Sequence, residues 1–178
     1  IMKKCSKMMQ TIIKCPKPII AEVEGTATAA GCQLVASCDL AYASSSAKFA
    51  TPGVNIGLFC STPMVAISRN LSNKHSMEML LTGELISSDK AAKIGLINDV
   101  IEINELKDFV LDKAKKISKK SSVTLKIGKE AFYKQLDMKL SDAYDYASKV
   151  MVQNMLKLDA KEGIDAFIDK REPSWKDK

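Results

Sequence analysis

The sequence predicts an α/β protein, with a core of alternating strands and helices and a helical C-terminal region. Three observations lead there. Short β-branched runs alternate with helical stretches over roughly the first 100 residues. From Asn104 onward the pattern is almost entirely helical. The hydrophobic fraction is 46 % over 178 residues, enough for one packed domain. The expected organisation is a single domain over 1–178, with an α/β core over 1–100 and a helical region over 101–178.

Met2, Cys5, Met8, Met9, Ile12 and Ile13 recur at helical spacing, and Pro16 and Pro18 end that helix. The chain opens on Ile1 with no capping residue, so it is expected to begin mid-element and to be N-terminally incomplete. Residues 19–23 read as a strand. Thr26 to Gly31 is a run of small residues, and residues 31–37 read as a short helix. Residues 39–43 form a second strand, Ser44-Ser45-Ser46 a turn, and Lys48-Phe49-Ala50 a short third strand. Ser61-Thr62-Pro63 should open a helix, with a hydroxyl cap and a proline in the first turn. Residues 97–101 are the last strand candidate. Beyond them, Ser121 or Ser122 and Ser141 are expected to cap helices.

Charge and composition narrow the partners. The formal net charge of +6 favours anionic ones: nucleic acid, an acidic membrane surface or a phosphorylated small molecule. The densest basic run, Lys115-Lys116-Ile117-Ser118-Lys119-Lys120, sits where a helix should end, and cations suit a helix C-terminus. Aromatics make up only 6 %, and no nucleic-acid-binding motif accompanies the run, so no nucleic-acid partner is expected. No apolar stretch is long enough to span a membrane, and no signal-peptide pattern is present. The five cysteines are odd in number with no CxxC pair, which suits free thiols in a reducing compartment. With His75 the single histidine, no metal site is expected.

Two stretches are candidates for chemistry. Glu24 to Leu34 follows a strand and opens a helix through small side chains. The first amides of a helix are unpaired and partly positive, so an oxygen held there would sit in an oxyanion hole. Close helix–strand packing would ask for the same small residues. The stretch is not GxGxxG and has no acidic residue at the ribose distance, which excludes a dinucleotide site. Phe49 to Pro63 is an apolar loop feeding a helix, either a pocket wall or an ordinary buried connection.

These stretches also carry a family resemblance. Residues 17–21 (KPIIA) through Cys38-Asp39-Leu40 resemble the KPVIA…NG…GGGCEL…CDI block of the crotonase superfamily, the enoyl-CoA hydratases and isomerases. Phe49 to Gly57 is similar to its F…PE…G block, Met77 to Gly83 to its MEM-LTG segment, and Ala91 to Leu96 to its A…GLV segment. Gly163 to Arg171 is similar to its C-terminal EG…AF…KR.

The resemblance implies a crotonase-like fold, a β-β-α superhelix core with a helical C-terminal trimerisation region. It implies an acyl-CoA ligand of fatty-acid metabolism with no separate cofactor, a homo-trimer or hexamer, and a mitochondrial location. It puts the second oxyanion donor at the backbone N–H of Ala30, flanked by Ala29 and Gly31. It puts the two hydratase glutamates at positions that here hold Gln33 and Gly53, neither of which can transfer a proton at neutral pH. Thr51, Cys60 and Ser61 remain as polar candidates, with Cys60 expected to be a thiol in the pocket wall. Phe167 and Lys170 fall where the family contacts the nucleotide end of CoA. Read without the family, they are a core aromatic and a surface lysine. Two functions stay open: an enzyme that stabilises an enolate, or a binding or scaffold protein that kept the fold and lost turnover.

Overall fold

The computed structural model describes residues 1–177, which divide into two compact units. The first comprises Ile1–Ile13 and Ile19–Lys113, and the second Lys14–Pro18 with the chain from Ala114 on. Among the described residues, no helix is long and apolar enough to cross a membrane.

In the first unit, helix α1 (Met2–Lys14) stops short of Pro16, as the sequence requires. Strand β1 (Ile20–Val23) pairs in parallel with β3 (Leu40–Ser44), and β3 pairs in parallel with β6 (Asp99–Ile101). A second sheet holds β2 (Thr26–Thr28), β4 (Lys48–Ala50) and β5 (Ile86–Ser87), with β2 and β4 parallel and β4 and β5 antiparallel. Helices α2 (Ala30–Ser37), α3 (Ser61–Ile67), α4 (Asn73–Thr82) and α5 (Ser88–Ile94) connect and cover these strands.

The sheet strands are rich in alanine. Ala21, Ala27, Ala41, Ala43 and Ala50 are all buried, so α2 and its neighbours approach the backbone closely. Larger side chains fill the remaining space. Phe49 and Ile67 are fully buried, each contributing about 1.5–3 kcal/mol over exposure. A smaller cluster forms where Tyr42 meets Leu106, Val110 and the ring of Phe109.

Two strands escape the sequence reading. The small-residue run hides β2, and β5 is only two residues long; both exist because β4 lies between them as a template. Asn98, expected inside the last strand, instead accepts from the Ala41 amide through Oδ1 and donates its own amide to the Ala41 carbonyl. The expected cap at Ser61 is also corrected. Cys60 is the N-cap of α3, while the Ser61 hydroxyl donates back to the Phe59 carbonyl at 3.2 Å.

The second unit contains α7 (Ser122–Gln135), α8 (Leu140–Met155) and α9 (Leu158–Ile168). Helix α6 (Ile103–Ser118) precedes them, with Lys115 and Lys116 in its last turn, where the dipole favours cations. Ser121 caps α7 by accepting from the Thr124 amide at 3.2 Å. Ser141 does not cap α8: that helix starts a residue earlier behind Lys139, without a side-chain cap. No side chain of α7 or α8 is buried, whereas Phe132, Tyr144, Met151 and Met155 are all exposed.

Polar contacts strap residues 171–177 onto this unit. Glu162 holds Arg171 through two oxygens, at 2.7 and 3.1 Å, and accepts the Ser174 amide at 2.7 Å. The Trp175 indole donates to the Lys119 carbonyl at 2.7 Å. Asp159, 1 % exposed, accepts from the Ser121 hydroxyl and from the amides of Lys176 and Asp177. Burial pushes the Asp159 carboxyl up, but these donors outweigh it and hold it below the ordinary value. The Arg171 guanidinium, helped by the Ser174 amide, brings Glu162 down to about 2.

Both folded values lie below the unfolded ones, so these carboxylates stabilise the strap above about pH 4.5 and lose that effect as pH falls toward 2. Trp175 is the single tryptophan and reports on the strap directly. Its emission is expected to shift to the red as pH drops from about 4.5 to 2, and Glu162→Gln should show much of that shift at neutral pH. Emission unchanged down to pH 2 would contradict this account.

Candidate active site

The site is built at the junction between β2 and α2. Ala29 makes the turn with φ 47° and ψ −112°, a conformation that costs a residue with a Cβ about 1–3 kcal/mol. It is held on both sides. Its amide donates to the Ala50 carbonyl on β4 at 3.0 Å, and its carbonyl accepts the Gln33 amide at 3.0 Å. The turn leaves Ala30 as the first residue of α2, exposed, with its amide in the helix's unpaired first turn. Gly31 is exposed as well, and a methyl group there would meet only Ala27 Cβ, at 3.9 Å. The backbone donor therefore needs no glycine at 30 or 31.

The next two residues of α2 point inward. Cys32 is fully buried, and burial, aided by the neighbouring Cys60, pushes its thiol up to about 12. It stays a neutral thiol at physiological pH and is no nucleophile. Gln33 is 4 % exposed, and its Oε1 accepts from Cys5 Sγ on α1 at 3.8 Å.

The second wall is the loop after β4. Thr51 is fully buried, and its hydroxyl donates to the Met79 carbonyl of α4 at 2.8 Å, so it anchors the loop. A 3-10 helix, Pro52–Ile56, ends at Gly57, whose φ of 76° returns the chain toward α3. That return closes on Gly53. The Gly53 amide donates to Cys60 Sγ at 3.3 Å, and the Gly53 carbonyl accepts the Leu58 amide at 2.9 Å. A methyl group at Gly53 would lie 2.7 Å from the Leu58 carbonyl oxygen and 2.9 Å from Cys60 Sγ. Cys60 is itself buried.

The junction (Ala29, Ala30, Gly31, Gln33) and the loop (Gly53, Cys60) belong to the first unit, where α2 packs on α3 and Cys32 neighbours Cys60. Phe167 and Lys170 belong to the second unit. Phe167 is 84 % exposed, which excludes a core aromatic. Lys170 adopts φ 53° just after α9. Its amide donates to the Phe167 carbonyl at 3.3 Å and the Arg171 amide to the Ala166 carbonyl at 3.0 Å, a Schellman closure in which glycine is the usual occupant.

Sequence reasoning missed Cys5 as the partner of Gln33. The two are 28 residues apart, and Cys5 looked like one more member of an apolar helix face. It also missed that position 53 is filled by the loop's own atoms.

Comparison with known proteins agrees with this architecture. Residues 1–178 match the enoyl-CoA hydratase/isomerase family along the whole chain. The chain belongs to that family. Rat enoyl-CoA hydratase domain-containing protein 3, mitochondrial, is 51 % identical over 175 residues, covering 98 % of this chain. The human protein of that name is 49 % identical over the same length. The chain spans 58 % of the length of each of these two relatives. These relatives are mitochondrial by name, as the resemblance led us to expect. Among solved structures, an enoyl-CoA hydratase from Mycobacterium smegmatis superposes with a TM-score of 0.96 at 46 % identity, covering 98 % of this chain and 68 % of its own. The human domain-containing protein 3 superposes with a TM-score of 0.95 at 50 % identity, covering 98 % and 69 %. The fold is the crotonase fold.

The packing around Gly53 makes a direct prediction. Gly53→Ala is expected to destabilise the protein by about 1–3 kcal/mol, because the Leu58 carbonyl is backbone and cannot swing aside. Adding Cys60→Ala should recover only part of the loss, since that oxygen remains. Denaturant melts of the single and double variants check this, and a parent-like midpoint for Gly53→Ala would disprove the crowding.

Proposed function

We propose that this enoyl-CoA hydratase-like chain binds an acyl-CoA thioester in fatty-acid metabolism and does not act as an ordinary enoyl-CoA hydratase. The observation that carries the reading is the state of the two positions where hydratases keep glutamates. Position 33 holds a buried amide bonded to Cys5, and position 53 is a glycine whose side-chain space is taken by Leu58 and Cys60. The first-turn amide of Ala30 meanwhile stays open to receive a thioester oxygen. CoA is the ligand, and no separate cofactor is invoked.

Hydration needs a group to take a proton from water and a group to deliver one to carbon. A positioned acid or base contributes about 10²–10⁴-fold. The full-length protein is therefore expected to hydrate crotonyl-CoA at least about 10²-fold more slowly than a true hydratase. A rate comparable to a hydratase would overturn the reading. Restoring only Gln33→Glu is the informative variant, because a carboxylate at 53 has no room in the present loop.

A second reading, a non-catalytic acyl-CoA-binding or scaffold protein, is favoured by what the remaining polar groups do. Thr51 is committed to the Met79 carbonyl, and Cys32 is a buried neutral thiol. Tight binding of acyl-CoA without turnover of any thioester would select it.

The exposed apolar side chains of the second unit, Phe132, Tyr144, Met151 and Met155, support a homo-trimer or hexamer for the full-length protein. Phe167 and Lys170 are proposed to meet the nucleotide end of CoA, the lysine through its charge on phosphate. Lys170→Gly separates this role from stability. Glycine relieves the left-handed backbone, so stability should rise by up to about 1 kcal/mol while CoA affinity falls, the latter effect shrinking in high salt. Equal CoA affinity by calorimetry in variant and parent would remove Lys170 from the site.

A further inference from the structure

A groove of 610 Å³ lies within the second unit, where the start of α7 meets the end of α8. Each helix supplies one side of it. Val123, Lys126 and Ile127 stand at i, i+3 and i+4 on α7, and Gln153, Leu156 and Lys157 repeat that spacing from α8 into the turn that follows it. Val123, Ile127 and Leu156 give the groove an apolar lining, and Lys126, Lys157 and the Gln153 amide give it polar groups. Its volume falls within the roughly 300–1,000 Å³ of small-molecule sites.

The charges of this lining are not neutralised within the unit. Among the described residues, neither Lys126 nor Lys157 has an ion-pair partner. Asp177 is the one carboxylate of the lining, and it is engaged elsewhere: Oδ1 accepts from the Ser122 amide at 2.9 Å and from the Ser122 hydroxyl at 2.7 Å. Two ammonium groups against one carboxylate leave the lining with a net charge of +1. The groove is also separate from the face proposed to meet another copy of the chain. At about 100° per residue, Met151, Met155 and Tyr144 fall on the side of α8 opposite Gln153, and Phe132 falls on the side of α7 opposite Val123. Covering those exposed side chains leaves the groove open.

We propose that this groove binds a free medium-chain carboxylate, its head group between Lys126 and Lys157 and its chain along Val123, Ile127 and Leu156. A net charge of +1 suits a monoanion. Apolar lining beside unpaired cations suits an amphiphile better than a small hydrophilic anion, which would leave that lining in water. The inference does not rest on the acyl-CoA reading, because no residue of the junction or of the loop around Gly53 takes part.

The experiment is calorimetric titration of the full-length protein with hexanoate, octanoate, decanoate and decanol. Decanoate is expected to bind at one site per chain, with affinity rising about two- to fourfold for each methylene added along the series. Decanol keeps the chain without the charge and is expected to bind about fivefold more weakly, a gap that narrows in high salt. Lys126→Gln and Lys157→Gln should each weaken decanoate about two- to fivefold and leave decanol unchanged. Leu156→Ser should weaken both ligands. All three side chains are exposed, so these variants keep the fold. Decanoate affinity is expected to be the same with excess CoA present. Equal affinity for decanoate and decanol overturns the proposal, as does decanoate binding that neither lysine variant weakens. Displacement of decanoate by CoA overturns it too, because it moves the ligand to the thioester site. Lysine-dependent binding to phosphatidylglycerol vesicles with no decanoate bound in solution assigns the lysines to a lipid surface and likewise overturns it. None of these outcomes counts against the acyl-CoA reading.

Discussion

Within one residue, at Ala29, the chain stops being a strand and becomes a helix. The rest of the site depends on that change. An alanine at φ 47° is strained, and it persists because two backbone hydrogen bonds hold it from opposite sides. One ties it to Ala50 on the neighbouring strand, and the other starts α2. If the turn relaxed, α2 would not begin at Ala30, and Gln33 would not lie one turn above an open amide. The β2–β4 pairing is therefore more than sheet structure, because it supplies the acceptor at Ala50 that fixes the direction of the helix.

The same economy appears in the opposing loop. Gly53 and Cys60 form a pair in which the sulfur of one occupies the side-chain space of the other. Position 53 therefore has no open side-chain space. The loop has closed over it, with Thr51 pinned to α4 on one side and the return through Gly57 on the other. A side chain at position 53 would require the backbone around Leu58 to move.

The second unit is held differently. Its helices bury little, and much of its order comes from charged and polar groups that grip residues 171–177. Asp159 and Glu162, one turn apart on α9, collect most of those bonds. A unit with so much apolar side chain at its surface and so polar a clasp is stabilised by interactions that acid weakens, unlike the alanine-rich core of the first unit.

The sequence by itself determined the class of fold and the order of its main elements. Periodicity, prolines and the family blocks are local signals, and local signals survive in one dimension. Helix α1, strands β1, β3 and β4, helix α2 and a serine cap at 121 or 122 were legible for that reason, and the structure places that cap at Ser121. Strands β2 and β5 were not, because two or three residues of small or mixed side chains become a strand only when β4 offers its hydrogen bonds. The tertiary structure alone decided that Ala29 bears the strain, that Cys5 meets Gln33, and that Gly53 has no room for a side chain. Each of these depends on atoms contributed by a different element or by the far side of a loop. No spacing rule encodes which atoms the packing of a chain will bring within 3 or 4 Å of one another.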